Sequence, residues 1–283
     1  MKIEKQKIKE HLVRFKFTYI LLFTVILFNL SVFKVLISDW YHDDNYSHGF
    51  LIIPISIYLL FNARTKFVFP AQPSKLGLLF LIPGCIGYLL GIAASEYFTT
   101  RFSLVLILTG IGLYSLGLEN FRKAWFPFFF LLFMIPIPAV IYYSATAPMQ
   151  LLASKATNSF LQILGVPSIR QGNIINLPDY RLEVAEACSG LRSLVTLLAL
   201  SSLYAYWKID GKLKSVILFI ATFPIAIAAN IFRVMVTALG AYAISKALAD
   251  SFLHELSGTI VFMIALIMIF ILGAILQWTK NRS

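Results

Sequence analysis

Charge is scarce in this chain. Only 13% of its 283 residues are charged, 59% are hydrophobic, and the mean hydropathy is +0.81. That shortage excludes a soluble domain of this length, because several uninterrupted apolar runs are long enough to cross about 30 Å of hydrocarbon. Cysteine is scarce too: there are two, in unlike settings, so a disulfide framework is excluded. Cys85 lies in the apolar run Leu76–Ala94 beside Gly84 and Gly87 and reads as a small packing residue. Acidic side chains are outnumbered, 13 against 24 Lys and Arg. In a soluble protein this excess would suggest nucleic acid. Here the basic residues cluster at the ends of apolar runs, so they read as membrane topology and no nucleic-acid partner is expected. Metal-ligand spacing is also missing. His42, His48 and His254, with Asp43 and Asp44, form no His-x-x-x-His or paired-cysteine pattern, so neither metal nor cofactor is expected.

What the chain does have is a set of eight candidate spans: 17–37, 48–61, 76–94, 102–118, 124–143, 190–206, 215–240 and 256–278. The fold class predicted is an all-α polytopic membrane protein, about eight transmembrane helices in one integral-membrane domain over residues 1–283. The second run is short, and the parity of the topology depends on it. With a cytoplasmic N-terminus, sixteen Lys and Arg fall inside and eight fall outside or at outer span ends, a clear positive-inside bias. Both termini are then cytoplasmic. Residues 1–16 form a basic N-terminal segment, and the apolar run after them is too long for a signal-peptide core and lacks a small-residue cleavage site. It is expected to be a retained span. Pro127, Pro136 and Pro138 interrupt the fifth span and suggest a kink.

One long connection, Ser144–Ala187, falls on the outer face. Met149, Leu152, Ala153, Ala156, Phe160, Ile163 and Leu164 recur with helical period, as in an amphipathic helix on the membrane surface or against the bundle. After Gly165-Val166-Pro167 the pattern changes. Tyr180, Leu182 and Val184 alternate with Arg181 and Glu183, and Pro178-Asp179 marks a turn before them. A small β-hairpin is predicted, leading the chain directly to Glu186-Ala187-Cys188-Ser189-Gly190-Leu191-Arg192-Ser193.

That octapeptide opens a long apolar helix. A helix N-terminus carries partial positive charge that favours a thiolate at Cys188. Ser189 can cap the helix, Gly190 permits tight backbone passage, and Glu186 and Arg192 supply nearby charge. Ser189 is a weaker nucleophile candidate, since no Gly-x-Ser-x-Gly elbow surrounds it. Topology places two further polar groups at the same outer level. Arg233, within the apolar sequence Ile225–Leu239, costs about 2.5–3.5 kcal/mol to insert at a helix centre. It either snorkels to headgroups or faces the bundle interior, with Asn230 one turn earlier on the same face. His254 opens the last span, and Gly258 one turn later leaves room for a close approach. An imidazole can take a thiol proton and return it to a leaving amine, while a fixed cation can stabilise an oxyanion.

The segments Glu186–Ser193, Asn230-Ile231-Phe232-Arg233-Val234 and His254 with Gly258, together with the early Asn45-Tyr46-Ser47-His48-Gly49-Phe50, resemble the exosortase family of bacterial membrane transpeptidases. The likeness runs through nearly the whole chain in order and spacing. It implies a catalytic set of Cys188, Arg233 and His254, with Tyr46 and His48 in a motif that contacts substrate or supports structure. Archaeal relatives typically carry arginine where His254 stands, so the bacterial branch fits better. No soluble extension follows Trp278, so a fused accessory domain is not expected. The resemblance further implies a cysteine-type peptidase in the bacterial inner membrane, its active site facing the periplasm. Its partners would be exported proteins ending in a short Pro-Glu-Pro-type motif, a span and a basic cluster. The acceptor would be water, an amine or a surface polysaccharide, and the setting exopolysaccharide production. The competing expectation from the residues alone is a transporter or a non-enzymatic component of polysaccharide export, in which Cys188 is dispensable.

Overall fold

The computed structural model describes residues 16, 18–69, 71–178, 180–184, 191–244 and 254–278. The chain divides into two compact units, Met1–Pro136 and Ile137–Ser283. Helix dominates both. Among the described residues five helices are long and apolar enough to cross a membrane, or six if one bent pair forms a single span.

The first unit begins with that bent pair, α1 (Thr18–Phe28) and α2 (Leu30–His42), which meet at 62°. Asn29 sits at the bend, 3% exposed, and its Nδ2 donates to the Val25 carbonyl at 2.7 Å. A side chain that bonds the preceding turn competes with the helix ladder and bends it. The first predicted span is therefore broken. Helix α3 (Gly49–Ala63) is extended by short 3₁₀ turns at both ends into a 23-residue candidate span, Asp44–Lys66. At about 1.5 Å per residue it is long enough to cross hydrocarbon.

Helices α4 (Leu78–Ala93) and α5 (Tyr97–Phe130) pack closely because Gly84 and Gly91 bring α4 backbone against Ile107 and Thr100. Small residues at such a seam let helices approach without a solvent-driven hydrophobic term. Cys85, on the next position round α4, is exposed rather than packed, which corrects its reading as a core residue. Helix α5 is interrupted at Gly117 (φ 73°, ψ 165°) and again at Ala124. A Cβ at Gly117 would run into the Gln72 carbonyl oxygen, and positive φ is disfavoured for other L-residues. These breaks separate the predicted fourth and fifth spans.

The fifth span itself is corrected. Helix stops at Phe130, a 3₁₀ turn covers Leu131–Met134, and the chain is extended at Ile135 and Pro138 before a new helix starts at Ala139. Pro136 and Pro138, two residues apart, remove donors and block helical continuation, so they end the helix instead of kinking it.

One buried ion pair ties the first unit together. Arg101 on α5 is 4% exposed and donates through Nη2 to Asp39 Oδ2 on α2. Its guanidinium also lies 5.5 Å from the Tyr97 ring centroid. The Asp39 side chain is 37% exposed and the Arg101 side chain only 5%, so the two halves of the pair are not equivalent. Removing the carboxylate strands a buried cation, which costs about 3–5 kcal/mol. Removing the cation leaves an acid that water or headgroups can reach. Asp39→Asn is therefore expected to lower the thermal stability of the purified protein more than Arg101→Met does. Equal losses would show that the burial asymmetry has no energetic weight.

Candidate active site

In the second unit, α6 (Ala139–Ile163) is followed by a three-stranded antiparallel sheet, β1 (Ile169–Gln171), β2 (Ile174–Asn176) and β3 (Arg181–Glu183), in the order β1-β2-β3. The predicted hairpin is thus one strand larger. The alternation read at its end is seen in β3, where Leu182 is buried between exposed Arg181 and Glu183. The amphipathic helix is likewise longer than the expected stretch and begins at Ala139. Ser154 of α6, fully buried, donates to the Gly172 carbonyl in the β1–β2 turn at 2.9 Å.

The sheet fixes where the chain leaves it. Val184 is 1% exposed, its N–H donates to Asn173 O at 2.9 Å, and its carbonyl accepts from Asn173 Nδ2 at 3.3 Å. Its side chain shares a buried cluster with Leu182, Ile175, Leu161 and, from α8 (Lys212–Ala243), Val234, Ala238 and Ala241. The strand end is thereby part of a buried cluster to which α6, the sheet and α8 all contribute. Glu186, Cys188, Ser189 and Gly190 lie outside the described residues. The chain resumes as α7 (Leu191–Lys208), with Arg192 in its first turn.

From Pro224 to Ala241, α8 is apolar except for Asn230, Arg233 and Thr237, whose 3- and 4-residue spacing keeps them on one face. Asn230 is 6% exposed and Thr237 3%. Thr237 Oγ1 donates to the Arg233 carbonyl at 3.0 Å. The Arg233 guanidinium turns into the unit, and its Nε is buried. It seats against Gly258 of α9 (His254–Trp278): a Cβ built on Gly258 would lie 3.2 Å from Nη2 and 3.3 Å from Cζ. The side chain thus lies against α9, as the interior-facing reading expects. Gly258 is four residues after His254, so both occupy one face of α9.

Tyr46 and His48 belong to the first unit and are held within it. Asp43 accepts from Asn45 N at 2.8 Å, Tyr46 is buried, and the His48 Nε2 lies 3.1 Å from the Phe133 carbonyl oxygen. Gly49 passes directly beneath the Trp40 indole, whose Nε1 donates to Met134 O at 2.9 Å. This motif joins α2, α3 and the 3₁₀ turn that follows α5 by direct packing.

A sequence model described as transmembrane exosortase matches residues 40–271. The chain belongs to the transmembrane exosortase family. The matched stretch holds every segment on which the resemblance rested, from Asn45–Phe50 to Gly258, and it runs through both units. No curated protein and no solved structure matches the chain. Membership gives an exosortase of this kind a membrane transpeptidase-type role, and the apolar helices make it a multi-pass membrane protein.

The sequence pattern does not single out Thr237 or Asn173. Thr237 extends the i, i+3 spacing of Asn230 and Arg233 by one more turn, a signal visible in the chain. Asn173 has no such signal, since its role depends on strand register. Asn173→Ala should leave the Val184 carbonyl without its side-chain donor, at a cost of about 1–3 kcal/mol. Amide exchange at and just beyond Val184 should quicken, while Asn176→Ala, which removes an exposed amide bonded to Ile169 O, should not change it. Equal protection in both variants would overturn the assigned clamp.

Proposed function

We propose that this exosortase is a cysteine peptidase or transpeptidase that removes the C-terminal sorting tail of exported proteins at the outer face of the bacterial inner membrane. Its eight-span topology would have both termini in the cytoplasm and residues 144–187 outside. The substrate tail would combine a Pro-Glu-Pro-type motif, a span and a basic cluster, in the setting of exopolysaccharide production. Because the family match crosses both compact units, they are treated as one catalytic domain.

The observation that carries the reading is the seat of the Arg233 guanidinium on Gly258, one helical turn from His254. It supports a cation and an imidazole converging on one place. In the sequence Cys188 lies four residues beyond buried Val184 and three before the start of α7 at Leu191.

In this mechanism His254 takes the proton from Cys188 as Sγ attacks the substrate carbonyl carbon and forms a C–S bond. The carbonyl electron pair moves to oxygen, and the oxyanion is met by the guanidinium of Arg233. Collapse breaks the C–N bond, and the imidazolium returns its proton to the leaving amine. The thioester is then attacked by an acceptor amine, a surface polysaccharide hydroxyl or water, whose proton passes through His254 as the thiol is released. Asn230 and Thr237 hold Arg233's stretch of α8. Glu186, Ser189, Gly190 and Arg192 shape the entry to α7, and Tyr46 and His48 act through the packing of their own unit.

Membranes carrying a tagged substrate provide the test. Cys188→Ala should abolish tail release without loss of membrane insertion. Release at the normal rate would overturn the thioester scheme and return the chain to an export-component reading. Arg233→Lys keeps charge but loses the planar fork, and its rate should fall by about 10²–10³, as for loss of an oxyanion donor. Gly258→Ala pushes the guanidinium by a few tenths of an ångström and should lower the rate by a smaller factor. A Gly258→Ala rate matching the parent would separate Arg233 from the reaction.

A further inference from the structure

At the opposite end of the second unit's helices lies a cavity of about 570 Å³ lined by Tyr204, Lys208, Ala274, Gln277 and Trp278. It is within the size range of small-ligand sites and far along α9 from Gly258. Its walls are fixed. Tyr204 is stacked edge-on with Phe270 at 5.0 Å and covers Gly273, which has no side chain to displace it. Gln277 is held by a reciprocal pair of hydrogen bonds, accepting from Asp210 N at 3.1 Å and donating to Asp210 Oδ2 at 3.2 Å. Lys214 Nζ donates to the Leu276 carbonyl at 2.6 Å, which offsets the partial negative charge at the C-terminal end of α9.

Three features together specify what the cavity would hold. Two candidate spans end here, since α8 starts at Lys212 and α9 stops at Trp278, which is the level of lipid headgroups. Trp207 and Trp278 are 55% and 60% exposed, as aromatic rings are at a membrane interface. Residues Lys208–Lys214 carry three lysines against one aspartate, and Lys208, which lines the cavity, makes no ion pair among the described residues. The Asp210 carboxylate faces Gln277 and is the opposing charge nearby; the lysines outnumber it.

We propose that this cavity binds the headgroup of an anionic phospholipid, with Lys208 on the phosphate and the Tyr204 and Trp278 rings and Ala274 against the glycerol and upper acyl carbons. The apolar walls favour a lipid over free phosphate, which would leave them uncovered. A phosphatidylcholine headgroup also carries a phosphate, but its quaternary ammonium would bring another cation to this lysine-rich turn, which an anionic headgroup would not. The site is independent of the catalytic reading.

Native mass spectrometry of the full-length protein, delipidated in non-ionic detergent, tests it with three probes: phosphatidylglycerol, phosphatidylcholine of the same acyl chains, and inorganic phosphate. Phosphatidylglycerol should be retained at least about five-fold better than phosphatidylcholine, the effect of one basic side chain near an anionic surface. That preference should weaken as salt is raised. Lys208→Gln should erase most of it and Lys208→Arg should keep it. Lys208 is exposed, so both variants are expected to fold. Equal retention of the two lipids, or an unaltered preference in Lys208→Gln, overturns the proposal. Displacement of the lipid by inorganic phosphate at matching concentration overturns the lipid assignment.

Discussion

The close approach of α8 to α9 at Arg233 and Gly258 is the constraint on which the second unit depends. A guanidinium inside a membrane bundle needs a surface that tolerates its size and a setting that tolerates its charge. Glycine supplies the first by having no side chain at the point of contact. Buried Asn230 and Thr237, on the same face of α8, supply polar company for the second. The sheet packs into the same unit, with Val184 and Val234 in one buried cluster.

The first unit treats its buried arginine differently. Arg101 has a carboxylate partner and an aromatic neighbour, so its charge is spent within the fold and joins α2 to α5. Arg233 seats on Gly258 of α9, and neither composition nor hydropathy distinguishes the two settings.

Hydropathy made the spans legible where one predominantly apolar helix runs uninterrupted, as for α4, α8 and α9. It failed where the backbone breaks without a change in polarity. Asn29 sits in an apolar run and bends it, and Ile135–Pro138 is as hydrophobic as the helix before it, so the fifth span was drawn too far. The two prolines were the available signal, but proline in a membrane helix also suggests a kink. Cys85 was misjudged because an apolar sequence does not say whether a face meets lipid or protein. In the sheet, the alternation of β3 was readable because one side is buried, whereas β1 is exposed throughout and carries no pattern. Of the candidate site's three polar positions, Arg233 is placed against Gly258, while Cys188 lies outside the described residues. The seat of Arg233 on Gly258 was legible only as room, and the pairing of Asp39 with Arg101, 62 residues apart, was not legible at all.

The hydrogen bonds from Asp210 and Lys214 to the end of α9 have a mechanical meaning. They pin that end of α9 to the α7–α8 turn, while the opposite end has Gly258 and its arginine. About 19 residues of helix separate pin from seat, a rigid arm of about 28 Å. A tilt of about 6° at the pin moves the far end by about 3 Å, the thickness of a peptide group. Any rotation of α9 about that pin would therefore be felt most strongly at the arginine seat.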